Sequence, residues 1–71
     1  MEPKGYSEKN LWKLLVEAVH SIPTYAHHKS YVRDTILRDD PNIAAEKLVI
    51  RLGITLGEAL VILQELKEEN K

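Results

Sequence analysis

The chain has no cysteine among its 71 residues, so neither a disulfide framework nor a thiolate zinc site can supplement its core. No apolar stretch approaches the ~20 residues a membrane-spanning helix needs, and the opening Met1-Glu2-Pro3-Lys4 lacks the apolar run of a secretion signal. A cytoplasmic chain with no membrane contact is expected. Alternating β-branched runs, hairpin dipeptides, internal repeats and low-complexity tracts are absent too, which leaves an all-α fold. So are a Gly-x-Ser-x-Gly elbow, a phosphate-binding glycine loop and an evident pair of carboxylates in a cleft. The chain is therefore read as no enzyme, with no cofactor and no small-molecule substrate. Its length allows one small domain, 1–71, whose core supplies only ~3–5 kcal/mol of net stability. Apolar packing must hold it, with or without a partner's help.

The apolar residues that are present fall into helical patterns. Ser7 is placed to cap a first helix, with Tyr6 packing on Leu11 as a hydrophobic staple and residues 1–6 otherwise flexible. Leu11, Trp12, Leu14, Leu15, Val16, Ala18, Val19 and Ile22 give that helix a broad apolar surface before Pro23 stops it. A second helix lies within Thr24 to Arg38, capped by Thr24 or by Ser30, with Val32, Ile36 and Leu37 as core candidates. Asp39-Asp40-Pro41 ends it and is expected to cap the next helix, with Pro41 in that helix's first turn. Thr55-Leu56-Gly57-Glu58 fits a capping box and starts the last helix near Leu56. A compact bundle of three or four helices follows.

Within residues 41–69, Leu48, Val49, Leu52, Gly53, Ile54, Thr55 and Ala59 form a run that resembles a helix-turn-helix: apolar residues close one helix, glycine turns the chain, and apolar positions bury the next. The resemblance implies a helical hairpin at the C-terminal end, and no hairpin wing is expected after it. Val49 stands where that superfamily usually has alanine. Projected at about 100° per residue, Leu56, Ala59, Leu60, Leu63 and Leu66 share one face of the last helix, which is expected to point inward. Gly57, Glu58, Val61, Gln64, Glu65 and Glu68 are left to face outward. The glutamates there carry the wrong sign for phosphate, which argues against insertion into a DNA groove.

Gly57 and Val61, with Gln64 nearby, then form a small apolar strip suited to another helix. The preceding helix is apolar on two sides, since Ile43 and Ile50 point away from Ala45, Leu48, Val49 and Leu52. Either the first helix covers Ile43 and Ile50, or another molecule does. Surplus apolar surface favours a protein partner or self-association.

A second candidate is the acid-free segment Tyr25-Ala26-His27-His28-Lys29-Ser30-Tyr31-Val32-Arg33. Tyr25, His27, His28 and Tyr31 offer rings for unpaired bases, and Lys29 and Arg33 offer charge for phosphates, which suits RNA or single-stranded DNA. Residues 1–38 hold six basic and four acidic side chains, and residues 39–71 hold four basic and seven acidic. With a total of −1, the balance is not that of a dedicated nucleic-acid binder. Glu17 and His20 have the i, i+3 spacing of bundle metal sites, but further ligands would have to come from His27 or His28, which diverge as neighbours on a helix. No metal is expected. The sequence thus points to a small interaction module acting through protein contacts, as a homo-oligomer or an accessory subunit, with nucleic-acid binding as the alternative.

Overall fold

In the computed structural model, which describes residues 7–69, the first and last helices start at side-chain caps, Ser7 and Thr55. Helix α1 spans Glu8–His20, and the Ser7 hydroxyl accepts from the Asn10 amide at 3.3 Å. The Tyr6 staple lies outside the described residues. Helix α1 ends on Ser21, whose hydroxyl donates to the Ala18 carbonyl at 2.6 Å. Pro23 follows two residues later, where it cannot extend the helix.

Helix α2 starts at Tyr25, directly after Thr24, so the earlier of the two expected starts is the one used, although the Thr24 side chain makes no capping bond. It runs Tyr25–Tyr31 as α-helix, widens into a π-helical turn at Val32–Ile36, and closes with Leu37–Asp39. The expected core residues Val32 and Ile36 are both fully enclosed. Pro41 does not open the next helix, contrary to expectation. Residues 41 and 42 form a turn, the Ile43 amide bonds to the Asp40 carbonyl at 3.2 Å, and Ile43 drops into the core before helix α3 begins. Anchoring Ile43 is what delays the helix start.

Helix α3 spans Ala45–Leu52 and stops at Gly53, which adopts φ +68°, a left-handed conformation that glycine enters without steric cost. The Gly53 amide closes the helix on the Val49 carbonyl at 2.9 Å. Helix α4, Leu56–Glu69, then packs back on α3 and also meets α1 and α2. Among the described residues there is no strand, and no helix is long and apolar enough to cross a membrane. The described residues form a small all-α bundle of four helices, with Val19, Tyr25, Val32, Ile36, Leu48 and Ile62 among its core residues.

Candidate interaction surfaces

Helix α4 is rotated about its axis relative to the sequence-based reading. Val61 is 0% exposed and Glu58 only 3%, whereas Leu56 and Leu60, expected inside, are 45% and 42% exposed. Ala59, Ile62 and Leu66 do face the core as expected or nearly so. The proposed Gly57/Val61 strip therefore does not face solvent. Gly57 does serve close helix approach, but the approaching helix is the chain's own: a Cβ built at Gly57 would lie 3.1 Å from Leu15 Cδ1 of α1.

The cause of the rotation is a polar seam between α2 and α4. Glu58, Glu65 and Glu69 lie at i, i+7 and i+11, within about 40° of one another around the helix. Tyr25, His28 and Lys29 form a matching i, i+3, i+4 face on α2. His28 Nδ1 sits 2.6 Å from Glu58 Oε2, inside the molecule. Tyr25 donates its hydroxyl to Glu65, and Lys29 bonds to both Glu65, at 3.3 Å, and Glu69. His20, at the end of α1, adds a contact of 2.8 Å to the other Glu65 oxygen. Its ring lies 5.0 Å from that of Tyr25. Glu65 is thus met by three side chains from two helices.

This arrangement perturbs the groups within it in ways that follow from burial and pairing. Burial acts first to raise the Glu65 carboxyl, but hydrogen bonds from Tyr25, His20 and Lys29 outweigh it and hold the group below the usual carboxylate value. Burial, then the bond to Glu65 and the neighbouring carboxylates, pushes the Tyr25 phenol well up. Burial pulls the Lys29 ammonium down, and the bonds to Glu69 and Glu65 more than offset it. No buried side-chain nitrogen or oxygen among the described residues lacks a partner. The seam is closed on itself.

The capping box at Thr55 is correspondingly half formed. Thr55 Oγ1 accepts from the Glu58 amide at 3.1 Å, but the Glu58 carboxylate turns to His28 instead of reaching back. Of the six residues proposed for nucleic acid, Tyr25, His28 and Lys29 are committed to this seam. His27, Tyr31 and Arg33 are exposed, and Arg33 pairs with its neighbour Asp34 at 2.9 Å. Glu17 and His20 do not converge on a ligand site, because His20 is taken by Glu65.

Ile43 and Ile50 do not share a face either. Ile43 precedes α3 and is buried, lining a groove with Leu37, Leu63 and Leu66. Ile50, at 81% exposure, is the most exposed large apolar side chain described. Gln64 faces solvent and bonds to Glu68 at 3.1 Å. Leu11, Trp12 and Leu14 of α1 are exposed, and a second apolar surface runs along α4: Leu56, Leu60, Leu63 and the stem of Lys67 fall within about 60° of one another. Leu63 is half-buried, and the other three are exposed. The helical projection missed the seam, although the acidic spacing on α4 and the opposite charge of the two halves of the chain both signalled it. No family model, curated protein or solved structure matches the chain.

Proposed function

We propose that this chain is a small, non-enzymatic interaction module that works in the cytoplasm through protein contacts, as a homo-oligomer or as an accessory subunit of a larger complex. The observation that carries this reading is the exposed Leu56–Leu60 edge of α4. Two leucines one turn apart on a helix make a helix-docking edge, and in a domain with so small a core their exposure costs stability that a partner would restore. Gln64 and Ile50 are the two surface residues of the sequence-based partner set that remain available. The catalytic-looking groups support no enzyme reading, since Glu65, Tyr25, His20 and Lys29 satisfy one another.

The helix-turn-helix resemblance of the C-terminal hairpin enters here as architecture for a partner, not for DNA. The start of α4 presents Leu56 and Leu60 outward, and base edges and phosphates call for polar or cationic side chains at those positions. The test is size-resolved chromatography with mass detection, together with capture of partners by the tagged chain from native extract treated with nuclease. Leu60→Arg is expected to keep its helical content and lose its partner or its oligomer. Identical elution and capture for Leu60→Arg and wild type would overturn the reading.

A further inference from the structure

Beyond the Leu60 position, the stripe on α4 opens into a groove of about 540 Å³ whose floor includes buried Ile43 and Leu66 and whose sides are Leu37, Leu63 and Pro41. Lys67 lines it and makes no ion pair among the described residues. The exposed acids Asp39 and Asp40 immediately precede Pro41 in its wall. The groove therefore offers an apolar lining and one cation that has no ion pair among the described residues. On α3, Ile50 stands outward, with Glu46 and Lys47 one turn before it and Arg51 beside it, all exposed. Glu46 is the complement of the groove's Lys67, and Lys47 and Arg51 suit the exposed acids Asp39 and Asp40 that precede Pro41 in the chain.

Resting on the protein-contact reading, we propose that the occupant of this groove is a second copy of the chain. Ile50 of one molecule seats among Leu37, Ile43 and Leu63 of the next, with Glu46 toward Lys67 and with Lys47 and Arg51 toward Asp39 and Asp40. Knob and groove are different surfaces, so the contact is head-to-tail: each molecule in a pair keeps one free knob and one free groove, and assembly continues until a ring closes or a chain grows. The net charge of −1 leaves little overall repulsion between copies.

Sedimentation velocity on the full chain over a concentration series tests this. Wild type is expected to grow in average mass with concentration. Ile50→Glu, which removes the knob at a position with no core packing, and Lys67→Glu, which reverses the groove's cation, are each expected to weaken association about tenfold or more. Adding Glu46→Lys to Lys67→Glu should restore it. Leu63→Arg blocks the groove, and its circular dichroism shows whether it folds. Mixed with Ile50→Glu, either groove variant should give a one-to-one complex that grows no further, because only one competent knob and one competent groove remain. A wild type that stays monomeric at the highest attainable concentration overturns the head-to-tail pairing. So does undiminished association of Ile50→Glu, or a mixture that behaves as the sum of its components. Monomeric wild type that still captures a partner in a Leu60-dependent way would sink this pairing and spare the protein-contact reading.

Discussion

The two edges of helix α4 carry opposite chemistry to what their positions would suggest: the carboxylate edge, Glu58–Glu65–Glu69, is turned against α2, and the leucine edge, Leu56–Leu60, is turned toward water. Hydrophobic burial alone would choose the reverse. Exposing two half-covered leucines forfeits roughly 1–3 kcal/mol of transfer free energy. The rotated state in return encloses Val61 and brings four donors, from His20, Tyr25, His28 and Lys29, onto the carboxylates. Leaving the donors and Glu58 to find no partner inside the bundle would cost ~1–3 kcal/mol for each buried group. Complementary pairing between segments can thus settle the rotation of a helix when its apolar arc is too broad to do so.

The largest expected effect separates adjacent positions on these two edges. Val61→Arg places a charge in the fully enclosed core and should cost ~3–5 kcal/mol or more, enough to unfold a domain of this size. Leu60→Arg, one residue away, should change folding stability by no more than ~0.5 kcal/mol. Urea denaturation followed by circular dichroism at 222 nm reads both. If Leu60→Arg unfolds the chain and Val61→Arg does not, the two edges of α4 have been exchanged.

Removing the buried member of the seam comes next. Glu58→Ala deletes the His28 contact while leaving the bond from the residue-58 amide to Thr55 in place, and should cost ~1.5–3 kcal/mol. The coupling to His28 is isolated by a double-mutant cycle with His28→Ala, in which the second substitution costs much less once the first is present. Additive costs would mean that the two side chains do not meet.

Gly53→Val should cost roughly 1–3 kcal/mol, because the residue sits at φ +68°, where a β-branched side chain is strained. No neighbour crowds a Cβ there, so the cost is conformational and Gly53→Asn should recover much of it. Equal melting temperatures for wild type and Gly53→Val would place the turn elsewhere.

Much of the fold was legible because local chemistry decides it. Ser7, Gly53 and Thr55 mark helix ends through bonds made within a few residues, and the alternative starts of α2 differed only in which residue preceded the first turn. What was not legible depends on residues far apart. The run from Ala59 to Leu63 is apolar at every position, so periodicity could not choose between Leu60 and Val61 for the core. The choice is made by Tyr25, His28 and Lys29, some thirty to forty residues earlier. Pro41 misled for a similar reason: its fixed φ suits a helix start, but Ile43 is buried in the core two residues later.

The smallest expected effect lies at the half-buried centre of the seam. The Glu65 carboxyl is held below its ordinary value of 4.5 in the folded chain. A carboxyl depressed in this way binds fewer protons folded than unfolded, so its contribution is full above about pH 4.5 and fades as pH falls through the lower folded value. Glu65→Gln keeps the shape and one acceptor but removes the charge. Near neutral pH it should cost about 1 kcal/mol, reduced from a fully buried case because solvent reaches part of the group. As the medium is acidified the two stability curves should converge, since wild-type Glu65 then also becomes neutral. The comparison cancels Asp34, whose carboxyl is likewise lowered, by Arg33, because that pair is present in both proteins. Urea midpoints across an acid series measure the difference. A gap that stays constant as pH falls would mean that the Glu65 charge contributes nothing to holding α1 and α2 against the carboxylate edge, and that the apolar packing of Val61 sets the rotation of α4 by itself.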